Sequence, residues 1–156
     1  MPSPSAVERQ FKVYRITNGT VIDHIPHWQA FKVIEILGVR DTESLVTAGF
    51  GLPSGKFGRK DLLKIENFDL TEADLNRIAL VAPQATINII RNSRVVHKFT
   101  VRLPEVLEGL VRCPNLGCIT RHEPVPGRFH TLQRQPVLLR CHYCQQLIEG
   151  QDLELL

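Results

Sequence analysis

Four cysteines are the residues of this chain whose types and spacing speak most clearly of chemistry. Cys113 and Cys118 bracket Pro-Asn-Leu-Gly, Cys141 and Cys144 bracket His-Tyr, and 22 residues separate the two pairs. Two thiol pairs on turns, joined by an insert of hairpin length, can close into a tetrahedral thiolate cage. Zinc suits such a cage, being redox-inert and accepting four sulfurs at roughly 2.3 Å. With all four positions filled by protein, no site stays open for water or substrate, so the expected metal is structural. Two disulfides, or four unrelated thiols, are the alternatives. The start MPSPSAVERQ lacks the apolar stretch of a secretory signal, which points to a reducing, cytoplasmic setting and against disulfides.

A second chemical stretch runs from Leu52 to Lys64. Lys56, Arg59, Lys60 and Lys64 fall within nine residues, with Asp61 the one acid among them. In an extended segment Lys60, Leu62 and Lys64 share a face, because strand side chains alternate. With Ser54 and the N–H groups of a glycine-rich loop over Gly51–Gly58, two ammonium groups there would fit a polyphosphate. Each lysine about 4 Å from a phosphate oxygen gains on the order of 4 kcal/mol at an effective dielectric near 20. The loop lacks the spacing of a P-loop, and a solvated charged face is the plain alternative. Asp23-His24 is a third candidate. Adjacent strand residues face opposite sides, so one of the two is expected in any given pocket, the Asp accepting ribose hydroxyls or balancing lysines. A turn Asp beside a partly buried His is the alternative. His122, His130 and His142 are expected at the surface, and Tyr14, Trp28 and Phe68 in the core.

The elements that must position these groups follow from periodicity. Phe11–Ile16 and Thr20–Ile25 read as strands, with Asn18-Gly19 a turn between them. Pro26 suits the first position of a helix whose apolar stripe is Ala30, Val33, Ile34 and Leu37 and whose terminator is Gly38. Leu45–Phe50 and Asp61–Glu66 read as strands. Thr71 and Asp74 form a variant capping box for a second helix, which Pro83 ends. Ala85–Arg91 and Arg94–Thr100 form a hairpin across Asn92-Ser93. The order predicts an α+β fold, a ferredoxin-like sandwich of an antiparallel sheet and two helices on one face. A small all-β four-cysteine zinc module follows. The boundary falls at Leu103-Pro104-Glu105, giving domains 1–102 and 103–156. Fifty residues of short strands bury too little apolar surface to fold reliably alone, and a structural zinc makes good the deficit.

Charge is distributed in keeping with that division. Residues 1–102 carry 14 basic and 10 acidic side chains, residues 103–156 carry 5 basic and 6 acidic, and every lysine precedes residue 103. An anion is therefore expected on the N-terminal domain. A zinc-ribbon nucleic-acid-binding protein is a competing reading, but the zinc module is net acidic and poor in stacking surface, so no nucleic-acid partner is expected. No apolar run approaches the roughly 18 residues of a membrane span, so no membrane partner is expected. A nucleotide-hydrolysing enzyme would need a magnesium-binding acidic pair near Ser54–Lys64, and none is visible. Every cysteine is committed to metal, and no triad context or His-Glu-x-x-His is present. The pattern favours a binding or regulatory protein.

Four stretches, in one order and spacing, resemble the regulatory chain of aspartate carbamoyltransferase. They are Gly19-Thr-Val-Ile-Asp-His-Ile-Pro26; Leu52-Pro-Ser-Gly-x-x-Gly-Arg-Lys-Asp-Leu-x-Lys-Ile-Glu-Asn67; Ala82-Pro-Gln-Ala-Thr86; and the Cys-Pro-Asn-x-x-Cys and Cys-x-x-Cys pair. They span the chain almost end to end. The resemblance implies a non-catalytic regulatory subunit acting in pyrimidine biosynthesis. Its N-terminal domain would bind the effectors CTP and ATP at one site, and its zinc domain would dock on a separate catalytic chain. Regulatory-chain homodimers, three of them, would bridge two catalytic trimers. Carried over by motif, Asp23 and Lys64 would contact ribose and Lys98 phosphate, with Lys60 and His24 assisting at the phosphates. The backbone of Tyr14–Ile16 would read the base edge, and Asn88 and Val95 would line the cavity. Two positions depart from the best-known relative, Tyr14 where that chain is acidic and Ser93 where it is aromatic.

Overall fold

The computed structural model describes residues 15–156. The chain divides into two compact units, one of residues Met1–Leu70 with Ala85–Thr100, the other of Thr71–Gln84 with Val101–Leu156. The expected strand at Phe11–Ile16 lies largely outside the described residues. Ile16, its one buried member among those described, sits in irregular chain.

The first unit is built on one antiparallel five-stranded sheet. Its strands are β1 (Gly19–Pro26), β2 (Val46–Ser54), β3 (Gly58–Glu66), β4 (Thr86–Arg91) and β5 (Arg94–Thr100), in the order β2-β3-β1-β4-β5. Period-two patterning decides which side each strand buries. Thr20 and Ile22 of β1, Asp61, Leu63 and Ile65 of β3 and Ile87 of β4 are buried, together with Ala30, Val33 and Leu37 of helix α1 (Ala30–Leu37). Gly38 ends that helix at φ 63°, where its N–H bonds to the Glu35 carbonyl, as the sequence predicts. Gly19 is needed for a different reason. It sits at φ 144°, and a Cβ there would drive into the carbonyl oxygen of Ile65.

Two elements differ from expectation. Pro26 is the last residue of β1, not the first of the helix. The chain turns through Trp28 at φ 70°, and the helix begins where the buried Asp61 carboxylate takes the Ala30 N–H at 3.2 Å. A tertiary partner, not the proline, sets the helix start. The expected Gly51–Gly58 loop is a continuation of the β2–β3 hairpin, paired as far as Ser54 opposite Gly58. Gly51, at φ 67°, sits where the register shifts between Gly49 and Leu52, so the glycines serve a bulge and a tight tip.

The second unit carries helix α2 (Glu72–Val81) and the C-terminal β module. Thr71 and Asp74 form a reciprocal capping box, with bonds of 3.1 and 3.0 Å. Strands β6 (Val106–Glu108), β8 (Arg128–Arg134), β9 (Val137–Cys141) and β10 (Leu147–Glu149) form a sheet in the order β10-β9-β8-β6. β7 (Val111–Arg112) pairs with β11 (Glu154–Leu155). Phe129 and Leu139 are fully buried at its centre. Among the described residues no helix is long and apolar enough to cross a membrane.

Candidate anion-binding face and metal centre

The sheet of the first unit has a second face, turned away from α1, and the register assigns its residues. Lys64 lies opposite Val21, Val21 opposite Asn88, and Asn88 opposite Lys98, so four side chains form one row across β3, β1, β4 and β5. Alternation along β3 adds Leu62 and Lys60 to that face, as the sequence predicts. Asp23 and Thr86 oppose each other one step further along β1 and β4. Asp23, Lys60, Lys64, Asn88, Val95 and Lys98, six of the sequence-derived candidates, thus share one face.

Asp23 and His24 do not take opposite sides as expected. The register slips between Ile22 and Ile25, and His24 is held at φ 57°. That bulge turns both side chains toward the same region. The His24 ring meets the Thr86 hydroxyl at 3.3 Å and stands edge-on to Phe57, 6.2 Å away. Asp23 accepts the His24 N–H at 2.7 Å and takes Lys60 Nζ at 2.9 and 3.0 Å on its two oxygens. Lys60 is therefore paired with Asp23, and Asp23 is fixed in position.

Lys64 is in a different state. Among the described residues no carboxylate lies within ion-pair reach of it. Burial, and then the neighbouring Arg15 cation, depress its pKa below the usual lysine range. Lys64 and Arg15 line a cleft of about 140 Å³ together with Ile16, Val21, Ile90, Ser93 and Val95. An apolar cavity of roughly 150 Å³ takes a benzene-sized ring, so the cleft has room for about one six-membered ring beside two cations.

Tyr14 lies outside the described residues. Sequence reasoning passed over Val21, Thr86 and Ile90, although stepping by two from Asp23 and Asn88 would have found them. Arg15 carried no signal beyond its charge. Three N–H groups along the stretch expected to cradle an anion, those of Gly51, Lys56 and Phe57, are engaged within the fold. Ser54 Oγ accepts the N–H groups of Lys56 and Phe57, each at 3.3 Å, and the Gly51 N–H goes to Asp61 at 3.1 Å. Those donors are spent inside the fold. Lys56 is exposed and lies over the Phe57 ring at 5.6 Å.

In the second unit the four thiols converge. Cys113 follows β7, Cys118 precedes a 3₁₀ turn at Ile119–Arg121, Cys141 ends β9, and Cys144 lies on the turn into β10. All four sulfurs lie within 4.8 Å of one another, with Cys113–Cys144 at 3.6 Å and Cys118–Cys141 at 3.8 Å. Four sulfurs at roughly 2.3 Å from a central ion are about 3.8 Å apart along each tetrahedral edge. These separations fit a tetrahedral metal shell and are far too long for S–S bonds. Burial, reinforced by the neighbouring thiols, holds Cys113 and Cys141 above the usual thiol range. Burial also acts on Cys144, but hydrogen bonds from Asn115 and the Gln146 N–H outweigh it and bring that thiol down to about 7. The Thr120 hydroxyl donates to Cys118 Sγ at 3.3 Å. The histidines stay out of the shell, His122 meeting the Leu116 carbonyl at 2.6 Å.

A row of cationic and polar side chains on one sheet face of the first unit, and a four-thiol centre of metal geometry in the second, fit a binding protein that carries a metal site. Comparison with known proteins makes this specific. Residues 11–102 match the family model described as aspartate carbamoyltransferase regulatory chain, allosteric domain, and residues 105–154 match its metal binding domain. A chain named aspartate carbamoyltransferase regulatory chain in Pyrococcus abyssi is 48% identical over 146 residues, covering 92% of this chain and 96% of the relative. Chains of the same name in Methanothermobacter thermautotrophicus and Proteus mirabilis are each 46% identical, covering 93% and 91% of this chain and 94% of each relative. The chain belongs to the aspartate carbamoyltransferase regulatory chain family. It is a regulatory and not a catalytic chain, with an allosteric domain, a metal-binding domain and a catalytic-chain partner.

Proposed function

We propose that the second face of the N-terminal sheet is a nucleoside triphosphate effector site. Residues 1–102 would form the effector domain, and residues 103–156 the zinc domain that holds the catalytic chain, in the cytoplasm. The observation that carries the reading is the single row Lys64, Val21, Asn88, Lys98. Its ends are three strand spacings apart, roughly 14 Å at about 4.8 Å each, the scale of an extended nucleoside triphosphate. The base would enter the cleft beside Ile16 and Val95, and the backbone of Tyr14–Ile16 would read its edge. Asp23 and Lys64 would take the ribose, and Lys98, with Lys60 and His24, the phosphates. CTP and ATP share ribose and triphosphate, so their discrimination would rest on the cleft, where one ring fits and a purine projects further.

Calorimetry tests this site. Lys64→Ala and Lys98→Ala are each expected to weaken CTP and ATP binding by about 1.5–3 kcal/mol, the range of hydrogen bonds to charged groups. Lys56→Ala, at the exposed hairpin tip, is expected to cost much less. Equal losses at Lys56 and Lys64 would mean a diffuse patch and no defined pocket.

The metal in this reading is zinc, one per chain. Four thiolates and no carboxylate favour a soft-accepting, redox-inert ion, and a reducing compartment suits them. The regulatory dimer would form on the outer strand β2. Beside Phe50 of that strand lie Trp28, in the turn before α1, and Phe31 of α1, 59% and 60% exposed. Trp28 is thus not in the core as the sequence suggested, and Phe31 stacks on Phe50 at 4.5 Å in an exposed apolar cluster. Three such dimers would bridge two catalytic trimers. Sedimentation of a Trp28→Asp/Phe31→Asp variant is expected to shift the regulatory chain toward monomer, and an unchanged dimer would place the interface elsewhere.

A further inference from the structure

The lysines of the first unit that the sequence singles out differ in setting. Lys56 is exposed at the hairpin tip over the Phe57 ring, Lys98 is exposed on the edge strand β5, and Lys60 is ion-paired with Asp23. Lys64 instead lines the cleft of about 140 Å³, whose apolar walls are Ile16, Val21, Ile90 and Val95 and whose polar members are Arg15 and Ser93. Its cross-strand neighbours are Val21 on β1 and Thr47 on β2, neither of them an acid. Glu66, two residues further along β3, alternates to the same face. Among the described residues it makes no ion pair with Lys64.

An amine so placed gains little from carrying a charge. Apolar walls strip part of its water and the Arg15 cation repels it, which favours the neutral, nucleophilic form. The same cation that disfavours an ammonium there would favour an anion in its place. Carbon dioxide meets both conditions. It is uncharged, apolar and much smaller than the benzene-sized ring such a cleft admits, and it turns a neutral amine into an anion. An aldehyde would take the same amine but leave an imine, with no negative charge to answer Arg15.

We propose that Lys64 is a carbon dioxide site, its Nζ carried reversibly as an N-carboxylate beside Arg15. The Nζ lone pair forms a bond to carbon, one C=O π pair moves onto oxygen, and an N–H proton passes to water. No oxidant and no leaving group is involved. One consequence rests on the effector site proposed above. Carboxylated Lys64 would no longer donate to a ribose and would repel a triphosphate, so carbon dioxide and CTP would exclude each other.

The full chain is equilibrated with isotopically labelled bicarbonate, ethylated with triethyloxonium to fix any carbamate, and mapped by peptide mass spectrometry. Label is expected on Lys64, well above Lys56, Lys60 and Lys98, and rising with pH as more of the amine is neutral. Arg15→Ala, its folding checked by thermal melting, is expected to carry less label although Lys64 is still present. Against chloride at equal ionic strength, half occupancy of Lys64 is expected to weaken apparent CTP affinity about twofold. No label on Lys64, or equal label on Lys56 and Lys64, overturns the proposal, as does a label that Arg15→Ala leaves untouched. A chain that binds CTP normally and takes no label at Lys64 sinks this inference alone. Label confined to Lys64 with CTP affinity unchanged keeps the carbon dioxide site and sinks the effector site placed on it.

Discussion

Cys113→Ser is expected to empty the metal site and unfold the C-terminal β module while the N-terminal sheet stays intact. Structural zinc contributes on the order of 10–16 kcal/mol in small metal-dependent peptides, more than a typical domain's whole stability of about 5–15 kcal/mol. The module's apolar core is short. Leu107, Val111, Phe129, Leu139 and Ile148 are buried, but on strands as brief as two or three residues. A hydroxyl in place of a thiolate leaves three sulfurs gathered with no charge to hold them together. The chain's single tryptophan is Trp28, in the first unit, so tryptophan fluorescence reports that unit separately. Circular dichroism is expected to lose part of its strand signal while the fluorescence melt is unchanged. Retention of one metal and full strand signal in Cys113→Ser would contradict the structural role.

The same centre has a pH dependence of definite sign. Burial keeps Cys113 and Cys141 protonated in the metal-free chain at neutral pH, so the ion must displace their protons, and affinity rises with pH. Cys144, at about 7, ionises more readily than Cys113 and Cys141. Acidification through and below that value is expected to favour loss of metal.

How much of this was legible in the chain depends on the range of the forces involved. The thiolate centre was, because metal geometry is written in short spacings. The shared face of Lys60, Leu62 and Lys64 was, because strand alternation is local. What failed was everything set by a distant partner. The helix start moved from Pro26 to Ala30 because a carboxylate 31 residues away takes its N–H. His24 joined Asp23 on one face because β1 bulges against β3, and no residue type in Asp-His-Ile announces a bulge. The glycines over Gly51–Gly58 suggested a phosphate loop, yet hairpins and anion cradles use the same residues, and only the pairing of Ser54 with Gly58 decides between them.

Asp61 shows the same limit most clearly and carries the second large expected effect. In the sequence it is only the lone acid of a basic run. In the fold it is fully buried on the α1 side of the sheet, while Lys60 and Lys64 are on the opposite face. Its carboxylate fastens three segments, taking the Ala30 N–H at 3.2 Å, the Gly51 N–H at 3.1 Å and His27 Nδ1 at 3.1 Å. Asp61→Ala would leave two buried backbone donors and an imidazole nitrogen without partners. Each buried orphan costs about 1–3 kcal/mol, so a destabilisation of about 3–5 kcal/mol is expected by urea melting. Asp61→Asn keeps one oxygen but turns an amide N–H₂ toward a backbone donor, and about 1–3 kcal/mol is expected. Effector binding should separate this residue from the lysines. Where enough Asp61→Asn remains folded, its affinity for CTP should stay near wild type, because the side chain lies on the face opposite the proposed effector site. A melting midpoint within experimental scatter of wild type for Asp61→Ala would show that the three segments hold together without it. A selective loss of CTP affinity in stable Asp61→Asn would move the carboxylate's role from the core to the site.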